Sequence, residues 1–143
     1  MKLLLATLCD SAADYNGKLC ILGAFDTLCA SQFPVVHPQC SLAVRLLFTQ
    51  KDAGRHQFDI QFMDDAGNAI IPSFPPDPHI DVTFPHSAIP FVTRNIVLNL
   101  QRLRFEHPGV FQFHITLDGD PIMTLPLRVT HLEELRATNA PAG

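Results

Sequence analysis

The sequence of 143 residues contains no tryptophan and one tyrosine, and only 17% of its residues are charged. Its ten lysine and arginine residues form no basic run, and the formal net charge is -4. Binding to nucleic acid or to an anionic membrane requires a concentrated positive surface, so neither partner is expected. No apolar run approaches the roughly 18 residues of a membrane span. With 47% hydrophobic residues, the chain is expected to fold as one soluble domain.

The sequence also lacks the local motifs of common enzymes. It has no nucleophile elbow, no glycine-rich phosphate loop and no metalloprotease helix motif. None of its four cysteines forms a Cys-x-x-Cys pair, so zinc and dithiol redox sites are not favoured and no cofactor is expected. We expect reduced structural thiols, with disulfides as the alternative, at Cys9, Cys20, Cys29 and Cys40.

The first nine residues superficially resemble a secretory leader or a lipoprotein signal. About seven apolar residues are followed directly by Cys9 and Asp10, which is too short for the hydrophobic region of a leader. Leu8 is also larger than the small residues that precede a processing site. We therefore expect a cytoplasmic protein whose first strand begins at its first residues.

Alternation of apolar and polar residues is the main periodicity, and it is typical of half-buried β-strands. Tight hairpin turns are predicted at Asn16-Gly17 and at Asp118-Gly119. Pro126 cannot donate a backbone hydrogen bond, so the last strand should lie at an edge or turn that position outward. The predicted core includes Phe58, Ile60 and Phe62 together with Phe111, Phe113, Ile115 and Leu117. Strands are expected near 2–14, 18–30, 42–48, 57–62, 69–74, 79–85, 94–105, 111–117 and 123–129.

Short strands and repeated turn signals predict an all-β fold. We expect an antiparallel β-sandwich of about eight strands, immunoglobulin-like or C2-like, within a single domain over residues 1–131. A single closed sheet is the alternative. Residues 132–143 are expected to form a short helical turn and a flexible C-terminal tail.

Several segments of the chain are similar to a family of small bacterial proteins of unknown function, over about residues 3 to 130. The similar segments are NGKLCILGAFD at 16–26, FPVVHP at 33–38, NIVLNLQ at 95–101, PGVFQF at 108–113, DGD at 118–120 and LPLRV at 125–129. The resemblance implies an immunoglobulin-like sandwich of bacterial origin, with a strand at residues 2–8 and no established active site. Cys9 and Cys20 are not part of the family pattern, which argues against a function based on them.

A metal site is conceivable where His79 and Asp81 project from one face of a strand. His86 could return to them from the following loop, and Asp77 lies beside them in the sequence. This arrangement predicts a metal-binding protein or a metal-dependent enzyme as the alternative function, and a solvated strand face explains the same residues.

Aspartates at predicted turns suggest a calcium site like that of C2 domains. Calcium takes six to eight oxygen ligands, so two loops would have to meet. The preference of aspartate for turns explains these residues without an ion. The candidates are Asp64, Asp65, Asp118 and Asp120.

Exposed apolar positions favour a non-catalytic binding or assembly module, and this is the leading hypothesis. Proline-rich connections at 73–78 and 85–91 could present apolar side chains, and a sandwich leaves sheet edges unpaired. The expected partner is a second copy of the chain or another protein, and whether the protein is an enzyme stays open. The candidate surface residues are Leu22, Leu47, Phe74, Ile89 and Phe91.

Overall fold

The computed structural model describes residues 1–139, and these residues form two β-sheets packed face to face. The predicted all-β sandwich is confirmed, because the strands form two separate sheets and not one closed sheet. The described residues contain ten strands where about eight were expected. The strands are β1 (Lys2–Tyr15), β2 (Lys18–Phe25), β3 (Thr27–Ala30), β4 (Val35–Thr49), β5 (Gly54–Met63), β6 (Ala69–Phe74), β7 (His79–Val82), β8 (Phe91–Phe105), β9 (Gly109–Leu117) and β10 (Asp120–His131).

The first sheet has four antiparallel strands in the order β2-β1-β4-β8. The second has the order β3-β10-β9-β5-β6, with β7 paired to the first half of β5. It is antiparallel except that β3 runs parallel to β10. The single strand predicted at 18–30 is wrong, because the chain leaves the first sheet at Asp26 and β3 pairs in the second sheet.

The core forms where alternate side chains of the two sheets meet. The predicted core residues of β5 and β9 are buried, and the ring of Phe62 stacks on that of Phe113 with centroids 4.3 Å apart. Each such side chain stabilises the fold by about 1.5–3 kcal/mol when it is removed from water. The first sheet contributes Leu42, Val44, Leu46 and Phe48 from β4, all fully buried.

The two predicted hairpin turns are present. Asn16 and Gly17 have φ values of 52° and 80°, and Asp118 and Gly119 have φ values of 52° and 82°. Two consecutive positive φ angles match the right-handed twist of the strands that such turns connect. Asparagine, aspartate and glycine adopt this conformation most easily.

The last strand was expected to lie at an edge because of Pro126, and it does so only in the part that contains this proline. β10 lies between β3 and β9, but β3 pairs with it only from Arg128 onward. Before Arg128, the register pairs β10 with β9, and Pro126 lies opposite Gln112. The missing N–H of the proline therefore falls where no strand of the described chain lies on the other side.

The predicted helical turn is an α-helix of eight residues, α1 (Leu132–Asn139). The hydroxyl of Thr130 donates a hydrogen bond of 2.7 Å to the Glu134 carboxylate. Glu133 and Glu134 lie in the first turn, where negative charge is favourable because of the helix dipole. The helix therefore occupies part of the segment expected to be a flexible tail. Residues 140–143 of that tail lie outside the described residues.

Candidate functional site

The structure places His79 and Asp81 on the exposed strand β7 and His86 in the loop that follows. Asp81 accepts a hydrogen bond of 3.0 Å from Arg55 Nε, and this bond lowers the pKa of its carboxyl. His79 Nδ1 lies 3.2 Å from Asp77 Oδ1. Within residues 1–139, no group of three or more histidine, cysteine, aspartate or glutamate side chains could hold a metal ion. The three candidates are therefore not brought together as a metal centre.

Of the aspartates considered for calcium, Asp64 stabilises its own turn. Asp64 Oδ1 accepts backbone N–H groups of Ala66 and Asn68 at 3.0 and 2.7 Å, which is the turn chemistry that favours aspartate there. Asp118 contacts β5 instead, since its Oδ1 accepts the Gln57 N–H at 2.8 Å. Within the described part of the chain, these aspartates also belong to no group of three or more potential metal ligands.

All four cysteines are free, and they divide into two buried and two exposed thiols. Burial raises the pKa of the Cys9 thiol and raises that of Cys40 to about 11, which suppresses the reactive thiolate. Cys20 and Cys29 are exposed. The expectation of reduced structural thiols fits the buried pair.

The loop candidates differ in exposure. Phe74 and Ile89 are half-buried, and Phe74 packs against the core. Phe91 is 52% exposed at the start of β8. Phe74 also lines a groove of about 260 Å³ between the edge strands β6 and β8. The other side chains of this groove are Ile71, Pro75, Pro76, Leu98, Asn99, Leu100, Gln101 and Leu103.

Leu47 and Leu22 break the polar pattern for different reasons. Leu47 is half-buried in the interior strand β4, between Lys2 and Thr93. Leu22 is 70% exposed on β2, an edge strand of the first sheet. Of these two leucines, only Leu22 is therefore mostly exposed to water.

The hairpin that carries Leu22 lies against the outer face of the first sheet. At its tip, Asn95 Nδ2 donates to Asp14 Oδ2 at 2.9 Å, and Arg45 Nη1 donates to the Gly17 carbonyl at 3.0 Å. Arg45 Nη1 also donates to Asn95 Oδ1 at 2.6 Å. The hydrogen bond from Asn95 has the largest effect in lowering the pKa of the Asp14 carboxyl, and the hydrogen bond from the Gly17 N–H lowers it further. These bonds hold the hairpin in place and leave one of its faces free.

The hairpin carries the two most exposed large hydrophobic side chains of the described chain. Leu22 and Tyr15 are 70% and 65% exposed, whereas the other exposed large hydrophobic residues reach at most 52%. Sequence reasoning identified Leu22 and missed Tyr15. The register of the hairpin is the signal that points to Tyr15. Ser11 lies opposite Leu22, and Tyr15 lies opposite Lys18. Because side chains alternate between the two faces, Tyr15 and Leu22 lie on the same face.

The edge of β2 carries one charge at each end. Lys18 is its first residue, and Asp26 follows its last residue, Phe25. Both charged side chains are exposed, as are Cys20, Leu22 and Ala24 between them. The alternate residues Leu19, Ile21 and Phe25 are half-buried. The edge therefore has an exposed apolar stripe between a cation and an anion.

Comparison with known proteins assigns a family and no activity. A family model matches residues 4–130, and its description is a family of unknown function, DUF6941. No curated protein and no solved structure matches the chain. No helix among residues 1–139 is long and apolar enough to cross a membrane. The resemblance to a family of unknown function is thus confirmed.

Proposed function

The chain belongs to the DUF6941 family of unknown function, and from that premise we propose that it is a non-catalytic assembly module. It associates with a second copy of itself through the open edge of β2. The observation that carries the proposal is Leu22, a large apolar side chain that is 70% exposed on an edge strand whose outer side pairs with no strand of residues 1–139. An exposed apolar edge favours pairing with another strand.

The other edge strands carry features that oppose such pairing. Pro72 interrupts β6, and Pro121 and Pro126 lie in the open part of β10. β3 has only four residues. β8 carries three arginines, and a positive φ of 56° at Arg102 disturbs its edge. Charges, prolines, short strands and irregular backbone are the devices by which proteins protect edges. β2 contains no proline and has eight residues, and its own devices are Lys18 at its start and a positive φ of 69° at Gly23.

The cytoplasm of a bacterium is the location that we propose for this module. Two exposed free thiols, Cys20 and Cys29, fit a reducing compartment better than an oxidising one.

Light scattering over a dilution series tests the proposal. The unaltered protein is expected to shift from dimer to monomer on dilution, and Leu22→Asp is expected to be monomeric because the charge would be buried in the interface. Val110→Asp is the matched control, since Val110 is 50% exposed on a strand of the other sheet and should leave the dimer intact. An unaltered protein that is monomeric at several hundred micromolar would overturn the proposal.

A further inference from the structure

We propose that two copies of the chain pair antiparallel along β2 about a two-fold axis through Leu22, with Lys18 of each copy opposite Asp26 of the other. The inference rests on the proposed function, because it assigns the geometry of that self-association. It joins two four-stranded sheets into one continuous sheet of eight strands.

The positions of the charges carry this register. When identical strands pair about a two-fold axis, residues equally far before and after the axis lie opposite each other. Lys18 is four residues before Leu22, and Asp26, at the bend directly after β2, is four residues after it. They are the only charged residues between positions 18 and 26. Pairing about Leu22 therefore forms two pairs of Lys18 with Asp26, one at each end of the interface.

The same register matches the apolar stripe to itself. Leu22 lies opposite Leu22, and Cys20 lies opposite Ala24 of the other copy, all on the exposed face of β2. Directly opposed side chains on antiparallel strands are close enough to pack, so the two leucines cover each other. Ile21 lies opposite Gly23, which has no side chain to obstruct it, although the φ of 69° at Gly23 departs locally from extended strand.

Asp26 can accept the incoming ammonium without losing its present contact. Its Oδ1 accepts a hydrogen bond of 2.8 Å from the Thr27 hydroxyl, and the side chain is exposed. A carboxylate has further acceptor sites on both oxygens. Lys18 is likewise exposed, so the pair forms at the rim of the interface.

Charge reversal tests the register by sedimentation velocity at low salt. Lys18→Asp and Asp26→Lys should each raise the dimer dissociation constant about tenfold, because two attractions become two repulsions. The double variant Lys18→Asp/Asp26→Lys should return to within about threefold of the unaltered protein. Salt should reduce these differences by screening. Glu133→Lys, a reversal on the exposed face of α1, is the control that should change nothing.

Oxidative cross-linking tests the position of the axis. In a Cys20→Ser background, the thiol introduced by Leu22→Cys would lie opposite the same thiol of the other copy. It should therefore form a disulfide-linked dimer rapidly. Cys20 in the unaltered protein is the matched control, since four residues of strand, about 14 Å, separate it from Cys20 of the other copy. That separation exceeds the reach of a disulfide.

The outcomes distinguish this inference from the proposed function. A dimeric unaltered protein that is insensitive to both charge reversals, or that cross-links through Cys20 and not through position 22, overturns the register and leaves self-association standing. A monomeric unaltered protein overturns both. Rescue by the double reversal together with cross-linking at position 22 supports both.

Discussion

His56 and Asp118 connect β5 to the β9–β10 turn through a short contact, with His56 Nδ1 2.6 Å from Asp118 Oδ2. The other ring nitrogen, Nε2, lies 2.6 Å from the backbone carbonyl oxygen of Asp52. A neutral imidazole has one N–H, so only the protonated ring donates to both oxygens. The carbonyl of Asp52 and then the carboxylate of Asp118 raise the pKa of His56. Burial acts to raise the pKa of Asp118, but hydrogen bonds from His56 and the Gln57 N–H lower it overall.

The first prediction is a pH dependence of the free energy of unfolding. The contribution of His56 is complete below its ordinary pKa of 6.5 and is lost as the pH rises through its higher folded pKa. The contribution of Asp118 is present above its ordinary pKa of 3.8 and is lost as the pH falls through its lower folded pKa. Stability from this pair should therefore be greatest between about pH 4 and 6.5.

Asp118→Asn is the variant that tests this pH dependence. Asparagine followed by Gly119 retains the turn, so the substitution removes the charge and little else. In urea titrations at pH 5, 6, 7 and 8, the variant should lose less stability than the unaltered protein as the pH rises. Asp120→Asn should behave like the unaltered protein. Equal slopes for Asp118→Asn and the unaltered protein would contradict the prediction.

The second prediction concerns the stacked rings in the core. Phe113 is fully buried and its ring centroid lies 4.3 Å from that of Phe62. Phe113→Ala leaves a cavity and should lower the free energy of unfolding by about 3–5 kcal/mol. Phe113→Leu keeps most of the volume and should cost clearly less. Urea denaturation measures both, and equal losses would show that volume does not determine the cost.

The core was predictable because its determinants are local. Period-2 alternation through Phe58, Ile60 and Phe62 assigns each side chain to a face without knowledge of the neighbouring strand. The turns at Asn16-Gly17 and Asp118-Gly119 were equally predictable, since few residues adopt two consecutive positive φ angles. These signals depend on adjacent residues alone.

The candidate surface was predictable only in part because its determinants are not local. Leu22 was identified as an interruption of the polar pattern, but its high exposure depends on β2 being outermost. The hairpin position depends on the bond between Asn95 and Asp14, which are 81 residues apart in the sequence. The break at Asp26 depends on its carbonyl accepting the N–H of Arg128 from the other sheet. No short window of the sequence contains these pairs.

The third prediction concerns the reactivity of the thiols. Cys20 and Cys29 are exposed, whereas Cys9 and Cys40 are buried and have raised pKa values. An aromatic disulfide reagent at pH 8 should therefore modify two thiols rapidly in the folded protein and all four in urea. Cys20→Ser should remove one rapid equivalent, and Cys40→Ser should remove none. Rapid modification of Cys40 would contradict the burial of that side chain.

The last prediction concerns Gly23, which lies at a tight point of the β1–β2 hairpin. Its φ of 69° disfavours any other residue, and an added β-carbon would lie 2.5 Å from Asp10 Oδ2. Gly17 provides the matched control, because its φ is 80° and an added β-carbon would meet no atom within 4 Å.

Gly17→Ala should therefore cost only the backbone strain, about 1–2 kcal/mol. Gly23→Ala should cost more, because Asp10 must also move. The double variant Asp10→Ala/Gly23→Ala should recover the difference but not the strain, as a double-mutant cycle in urea would measure. A Gly23→Ala loss that Asp10→Ala leaves unchanged would mean that the strained backbone of Gly23, and not its contact with Asp10, requires glycine.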